Sequence, residues 1–156
     1  MVRADDAGRV TQVRADGSAV RQLLKLLKAG GVVGILPDQQ PKVGDGEFAP
    51  FFGVPALTMT LLPRLAARTD AVVLFAWCER IGADPGSGAP LFALHIAPAP
   101  VELSAPDPVT GVHALNAAVE AIARRDPAQY QWTYKRYTLR PPGSGERNPY
   151  RDLERH

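Results

Sequence analysis

The feature that most limits what this chain can fold into is AVVLFAWC at residues 71–78, where apolar, β-branched and aromatic residues follow one another without alternation. A strand with one wet face alternates; a continuous apolar run needs cover on both faces, as in the interior of an α/β sheet. A second such run, Val32, Val33, Ile35 and Leu36, is stopped by Pro37. Between them, residues 58–68 place Leu61, Leu62 and Leu65 at helical spacing, with Pro63 acceptable only in the first turns or at a kink. Strand, crossover helix and strand read as a right-handed parallel unit. Residues 91–96 follow the turn-rich GADPGSGAP and return as an antiparallel strand, because the link is short. The expected architecture is α/β, with a mixed, mainly parallel sheet flanked by helices.

Two further helices carry clearer signals. Val20, Leu23, Leu24 and Leu27 fall at i, i+3, i+4 and i+7, with Asp16 or Ser18 to cap the start and Gly30-Gly31 to end it. Later, Asp107 can cap a helix with Pro108 at its first position and Leu115, Val119 and Ile122 as its buried stripe, running to about Arg125. The roughly twenty residues after Asp38 contain Gly44, Gly46, Pro50, Gly53 and Pro55 and read as a long loop, held in order by Phe48, Phe51 and Phe52. Residues 1–17 have no sustained period.

The 156 residues suit one domain able to hold a core without staples. The single cysteine, Cys78, rules out an internal disulfide framework or a cysteine metal site. A net charge of +2 gives no argument for a nucleic-acid partner. No run reaches the ~18 apolar residues of a membrane span, and the start MVRADDAGRV lacks the apolar centre of a signal peptide. Three helices and three or four strands are too few to cover residues 71–78 on both faces. An open apolar face is therefore expected, available for self-association or membrane adsorption.

Asp38 and Gln39 stand just past the carboxyl end of the first apolar run, where open α/β sheets gather ligand-binding groups. The plain alternative for Asp38 is a carboxylate that caps the following turn. No phosphate loop, dinucleotide fingerprint, nucleophile elbow or metal-ligand cluster is present, and no cofactor is expected. His95 and His113 have no base-like company in sequence, and His156 is terminal. Near the end, YQWTYKRYTLRPP sets Lys135, Arg136 and Arg140 among Tyr130, Trp132, Tyr134 and Tyr137. That mixture suits phosphates or anionic headgroups, or simply a solvated face on an aromatic anchor.

Three blocks in this order, GGVVGILPDQQP, FAPFFGVPALTMT and DPAQYQWTYKRYTLRPP, resemble the carboxyl-terminal half of the bacterial lipid A biosynthesis (late lauroyl/myristoyl) acyltransferases, within the lysophospholipid acyltransferase-like, or glycerolipid acyltransferase-like, fold. The resemblance spans residues 31–142, so residues 1–142 are expected to be the carboxyl-terminal part of an acyltransferase domain and 143–156 a disordered tail. It implies transfer of a fatty acyl chain from acyl carrier protein to a hydroxyl of a lipid A precursor, at the cytoplasmic face of the bacterial inner membrane. The family's base is a His-x-x-x-x-Asp/Glu dyad, which this sequence lacks: Pro100 stands five residues after His95 and Ala118 five after His113. A truncated product or fragment, inactive as given, is the expectation, and its alternative is a non-catalytic remnant that binds anionic lipid or a partner protein. By position, the resemblance makes Asp38 a supporting catalytic carboxylate. It assigns Gln39, Thr58, Trp132, Lys135 and Arg136 to substrate binding, and loosely pairs Arg14 with an arginine before the first helix of relatives. Tyr134 departs from the family, which often has histidine there.

Overall fold

The computed structural model describes residue 13 and residues 17–151. In chain order these form α1 (Gly17–Lys28), β1 (Gly46–Phe51), β2 (Val54–Met59), α2 (Leu61–Ala67), β3 (Leu74–Ala83), β4 (Pro90–Pro98) and α3 (Pro108–Ala123), with short 3-10 turns at Val101–Ser104, Pro127–Gln129 and Trp132–Tyr134. β1 pairs with β2 and β3 with β4, both antiparallel, in two separate two-stranded sheets. The expected mainly parallel sheet is therefore corrected. Residues 32–36 are extended, with exposure alternating from residue to residue, but they pair with no described strand. Apolar patterning can specify an extended chain; a ladder also needs a neighbouring backbone to bond to, and no described strand provides one.

The long loop contains a hairpin. Phe51 and Val54 close the β1–β2 register around Phe52 and Gly53, at φ 50° and 75°. Two positive φ values in a two-residue connection match the twist of the flanking strands, although Asn, Asp or Gly usually takes the first of them. Here Phe52 is held in the left-handed region from outside. Its amide donates to Glu120 Oε2 at 2.5 Å, and its ring lies under the Arg124 guanidinium at 4.6 Å. Burial alone would push Glu120 up; the Phe52 amide and Arg124 more than offset it, and its carboxyl sits below its ordinary 4.5.

α3 begins as its sequence predicts. Asp107 accepts from the amides of Val109 and Thr110 at 3.2 and 3.0 Å, with Pro108 at the first position. Its buried stripe, Val112, Leu115, Asn116, Val119 and Ala123, packs on β1 and on the turn that carries Leu103. The core is Phe51, Ala56, Ala66, Leu103, Leu115 and Val119. Pro63 falls in the first turn of α2, where its missing N–H breaks no helical bond. At α1 the end is a Schellman motif: Gly31 N donates to Leu26 O and Gly30 N to Leu27 O, with Gly30 at φ 79°.

Gly111 is one of the close approaches in this core. A Cβ there would stand 2.6 Å from Pro63 Cβ and 2.8 Å from the Leu103 carbonyl. Alanine is the better helix former by roughly 1 kcal/mol, yet overpacking against backbone costs about 1–3 kcal/mol. Gly111→Ala is expected to lower stability in urea denaturation; an unchanged or raised midpoint would show that α2 and α3 can slide apart freely.

The β3–β4 sheet has one sheltered face and one bare one. Phe75, Trp77, Glu79, Ala93 and His95 lie on the half-buried side; Leu74, Ala76, Cys78, Leu94 and Ile96 lie on the other, and Leu94 and Ile96 are 66% and 62% exposed. The open apolar face expected from residues 71–78 is present.

Candidate functional site

The three sequence blocks converge. Phe51 and Phe52 from the β1–β2 turn meet the aromatics of the terminal segment, with Phe51 5.6 Å from Tyr130 and Phe52 5.4 Å from Trp132 between ring centroids. Tyr130 and Trp132 meet edge to face at 4.9 Å, and the Tyr137 hydroxyl donates to Phe51 O at 2.8 Å. Burial, with Tyr150 nearby, pushes the Tyr137 phenol up to about 12, so it stays a donor throughout the neutral range. The first block is tied in by Gln40, whose Oε1 accepts from Leu139 N at 3.0 Å.

At the centre lies a buried polar node. Arg136 is 3% exposed, Thr58 0% and Asn116 1%. Arg136 Nη2 donates to Thr58 Oγ1 at 3.0 Å and to Asn116 Oδ1 at 3.1 Å, and Asn116 Nδ2 donates to Ala49 O at 3.1 Å. The Thr58 hydroxyl proton is shared between Ala56 O and Asn116 Oδ1, at 3.1 and 3.0 Å. Among the described residues Arg136 Nε and Nη1 have no hydrogen-bond partner and no carboxylate pairs with the guanidinium; the Phe51 ring lies beneath it at 4.8 Å. One cation thus joins the hairpin, α3 and the terminal segment. In this structure Thr58 and Arg136 reach each other and not solvent.

Asp38 lies beside this node, half-buried, on a cavity of about 290 Å³ whose lining includes Leu36, Trp77, Val119, Ile122 and Tyr130. The cavity is walled by β3 and α3. Burial pushes the Asp38 carboxyl above its ordinary 3.8, while its own amide and the charge of Arg136 pull back part of the way. Burial likewise raises the Tyr130 phenol, and the charge and side-chain approach of Arg136 oppose it. Gln39 is exposed, and so is Trp132, whose indole N–H donates to Pro127 O at 2.8 Å. Lys135 sits at φ 49° at the end of the Trp132–Tyr134 turn. Arg14 lies outside the described residues. Arg140 donates to Pro55 O at 3.0 Å and pairs with Glu146, tying residues just past Pro142 to β2.

Glu79, which also lines the cavity, approaches a histidine. His95 Nε2 stands 3.0 Å from Glu79 Oε2, though without hydrogen-bond alignment, and that oxygen accepts from Arg125 Nη2 at 3.0 Å. The imidazole stacks on Trp77 at 5.0 Å. Sequence reasoning passed over Glu79 and Asn116. Asn116 had a signal, a lone amide within the Val112–Val119 stripe; the His95–Glu79 approach depends on cross-strand register and had none.

A folded pKa above the unfolded one means that Asp38 binds its proton more tightly in the native state. The ionised group then weakens the fold as pH rises from 3.8 through the raised native value, and has no such effect below 3.8. Asp38→Asn should therefore stabilise the chain at pH 7 and lose that advantage by about pH 4. Urea midpoints at the two pH values test this; an advantage equal at both would assign the effect to packing.

The model of the family described as bacterial lipid A biosynthesis acyltransferase matches residues 2–138. The chain belongs to the bacterial lipid A biosynthesis acyltransferase family. A lipid A biosynthesis lauroyltransferase of Escherichia coli (strain K12) is similar to it, 31% identical over 130 residues that cover 82% of this chain and 40% of that relative. This acyltransferase-family chain thus spans well under half the length of that curated relative. Among its described residues no helix is long and apolar enough to cross a membrane.

Proposed function

We propose that this chain supplies the Asp38 side of an active site that transfers a fatty acyl group from acyl carrier protein to a hydroxyl of a lipid A precursor, at the cytoplasmic face of the inner membrane. The observation that carries the reading is the convergence of all three family blocks on one place, with Asp38 on the cavity wall beside a buried cation. In this reading the general base comes from a His-x-x-x-x-Asp/Glu dyad outside these residues, and Asp38 orients a donor group or the acceptor hydroxyl toward it. In the same reading Lys135, Gln39 and Trp132 contact the phosphorylated acceptor, and Arg136 with Thr58 holds the hairpin, α3 and the terminal segment together.

The test is a chimera in which these residues replace the matched 130 of the E. coli lauroyltransferase. Acyl transfer is expected, and Asp38→Ala should lower it by about 10²-fold, the lower end of the loss for an acid–base partner, with little change in melting temperature. Equal rates would leave Asp38 only its turn-capping role. A second reading, a non-catalytic domain that adsorbs to lipid or to another protein, draws on the bare face of β3 and β4. A folded chimera with no transfer, and vesicle binding by the chain alone, would favour it.

A further inference from the structure

Two stretches of backbone border the same cavity with their hydrogen-bonding groups unused. Ala99 N donates to Val73 O at 2.9 Å, which puts odd-numbered residues of β3 in the hydrogen-bonded pairs with β4. The N–H and C=O groups of Leu74, Ala76, Cys78 and Arg80 therefore point to the opposite edge. At Arg80 that edge is closed by Gln129, whose Oε1 accepts from Arg80 N at 2.7 Å and whose Nε2 donates to Arg80 O at 3.2 Å. At Leu74, Ala76 and Cys78 no described residue meets it. Residues 32–36, which reach the same cavity at Leu36 and alternate in exposure from residue to residue, make no backbone hydrogen bond within the described chain. Leu36 lines the cavity from one side, and Ala76 and Cys78 line it from the other.

The two edges of the β3–β4 sheet are built differently. β4 places Pro98, which has no N–H, opposite Leu74 on its outer edge, a common way of refusing another strand. The β3 edge from Leu74 to Cys78 carries neither proline nor charge. Residues 32–36 show the same one-sided exposure: Val32 is 91% exposed, while Val33 and Ile35 are half-buried. Unblunted edge, unpaired extended neighbour and apolar residues on both faces are together the profile of interior strands with a member missing.

We infer that β3 and residues 32–36 flank an open strand position, and that it takes a β-strand from the part of a lipid A acyltransferase polypeptide that has no counterpart in this chain. That strand joins both stretches into one sheet and brings cover to the face of Leu74, Leu94 and Ile96. The relative's length supplies the candidate, since 60% of it lies beyond the match. A second copy of this chain is a poorer occupant. Pairing two β3 edges about a two-fold axis would leave residues 32–36 of both copies unpaired, whereas one inserted strand satisfies both sides. The inference rests on family membership and not on any catalytic role for Asp38, so its test reads binding alone.

The probe is the unmatched portion of the E. coli lauroyltransferase, made as a separate polypeptide and mixed with this chain. Expected are slowed amide exchange at Val33, Ile35, Ala76 and Cys78, and slowed alkylation of Cys78, the sole thiol, which is exposed in the free chain. Ala76→Pro removes an edge N–H and leaves the bonds to β4; it should weaken the complex at least about tenfold. Ala76→Lys, a change on the bare face that leaves the strand backbone intact, should do the same. The inference is overturned if the probe protects none of these sites, if both variants bind it as well as the parent, or if the same protection arises from raising the concentration of this chain alone.

Discussion

Replacing Arg136 with alanine is expected to remove about 3–5 kcal/mol of stability, a large share of the 5–15 kcal/mol typical of a domain. The substitution takes two donors from Thr58 and Asn116 and the cation from the Phe51 face, and it opens a cavity where the hairpin, α3 and the terminal segment meet. None of these losses can be made good by water, because the node is closed to it. Arg136→Met separates charge from volume. It keeps the stem and deletes a buried cation with two unpartnered N–H groups, so its loss should be less than half that of alanine. Urea denaturation of the three proteins provides the comparison. Alanine within about 0.5 kcal/mol of the parent would place Arg136 outside the structural centre of the chain.

The second large effect is catalytic. The 156-residue chain on its own is expected to give no measurable transfer from acyl carrier protein, since absence of the general base alone typically removes 10²–10⁴-fold in rate. The His–carboxylate approach among the described residues, His95 with Glu79 at 3.0 Å, makes a poor substitute. Its carboxylate oxygen already accepts from Arg125, and the imidazole nitrogen facing it lacks alignment. The assay is direct, with acylated carrier protein and a lipid A precursor. Turnover that vanishes in His95→Gln would move the base to β4 and overturn the proposed division of labour. Turnover that survives that change would overturn the reliance on an external dyad.

Local rules carried the helices because everything they need is local. The stripe Val20, Leu23, Leu24 and Leu27, the Gly30 stop, and Asp107 with Pro108 each act within a few residues of their own position, and the corresponding elements appear with ends within a few residues of expectation. The antiparallel return of β4 followed from a short link for the same reason. The β1–β2 hairpin was illegible. Its turn uses Phe52 at positive φ, a choice stabilised by Glu120 from a helix 68 residues away, and its strands contain prolines that pair with each other at Pro50 and Pro55.

Sequence alone also marked residues 32–36 and 71–78 as continuous apolar runs in want of cover on both faces, and in the structure every second residue of each is exposed. Whether such residues become a ladder was a tertiary matter, for a hydrogen bond between strands requires a second backbone at the right distance; residues 71–78 contributed to β3 with β4 beside them, and residues 32–36 had none. The site divides in the same way. Asp38 was legible from its place after an apolar run, and the three blocks from their order. That Arg136 would bury itself against Thr58 and Asn116, and that Asp38 would share a cavity with Trp77 and Tyr130, came from packing. A guanidinium in a string of aromatics is equally at home on a surface or in a core, and only the presence of oxygen acceptors from two other elements decides between them.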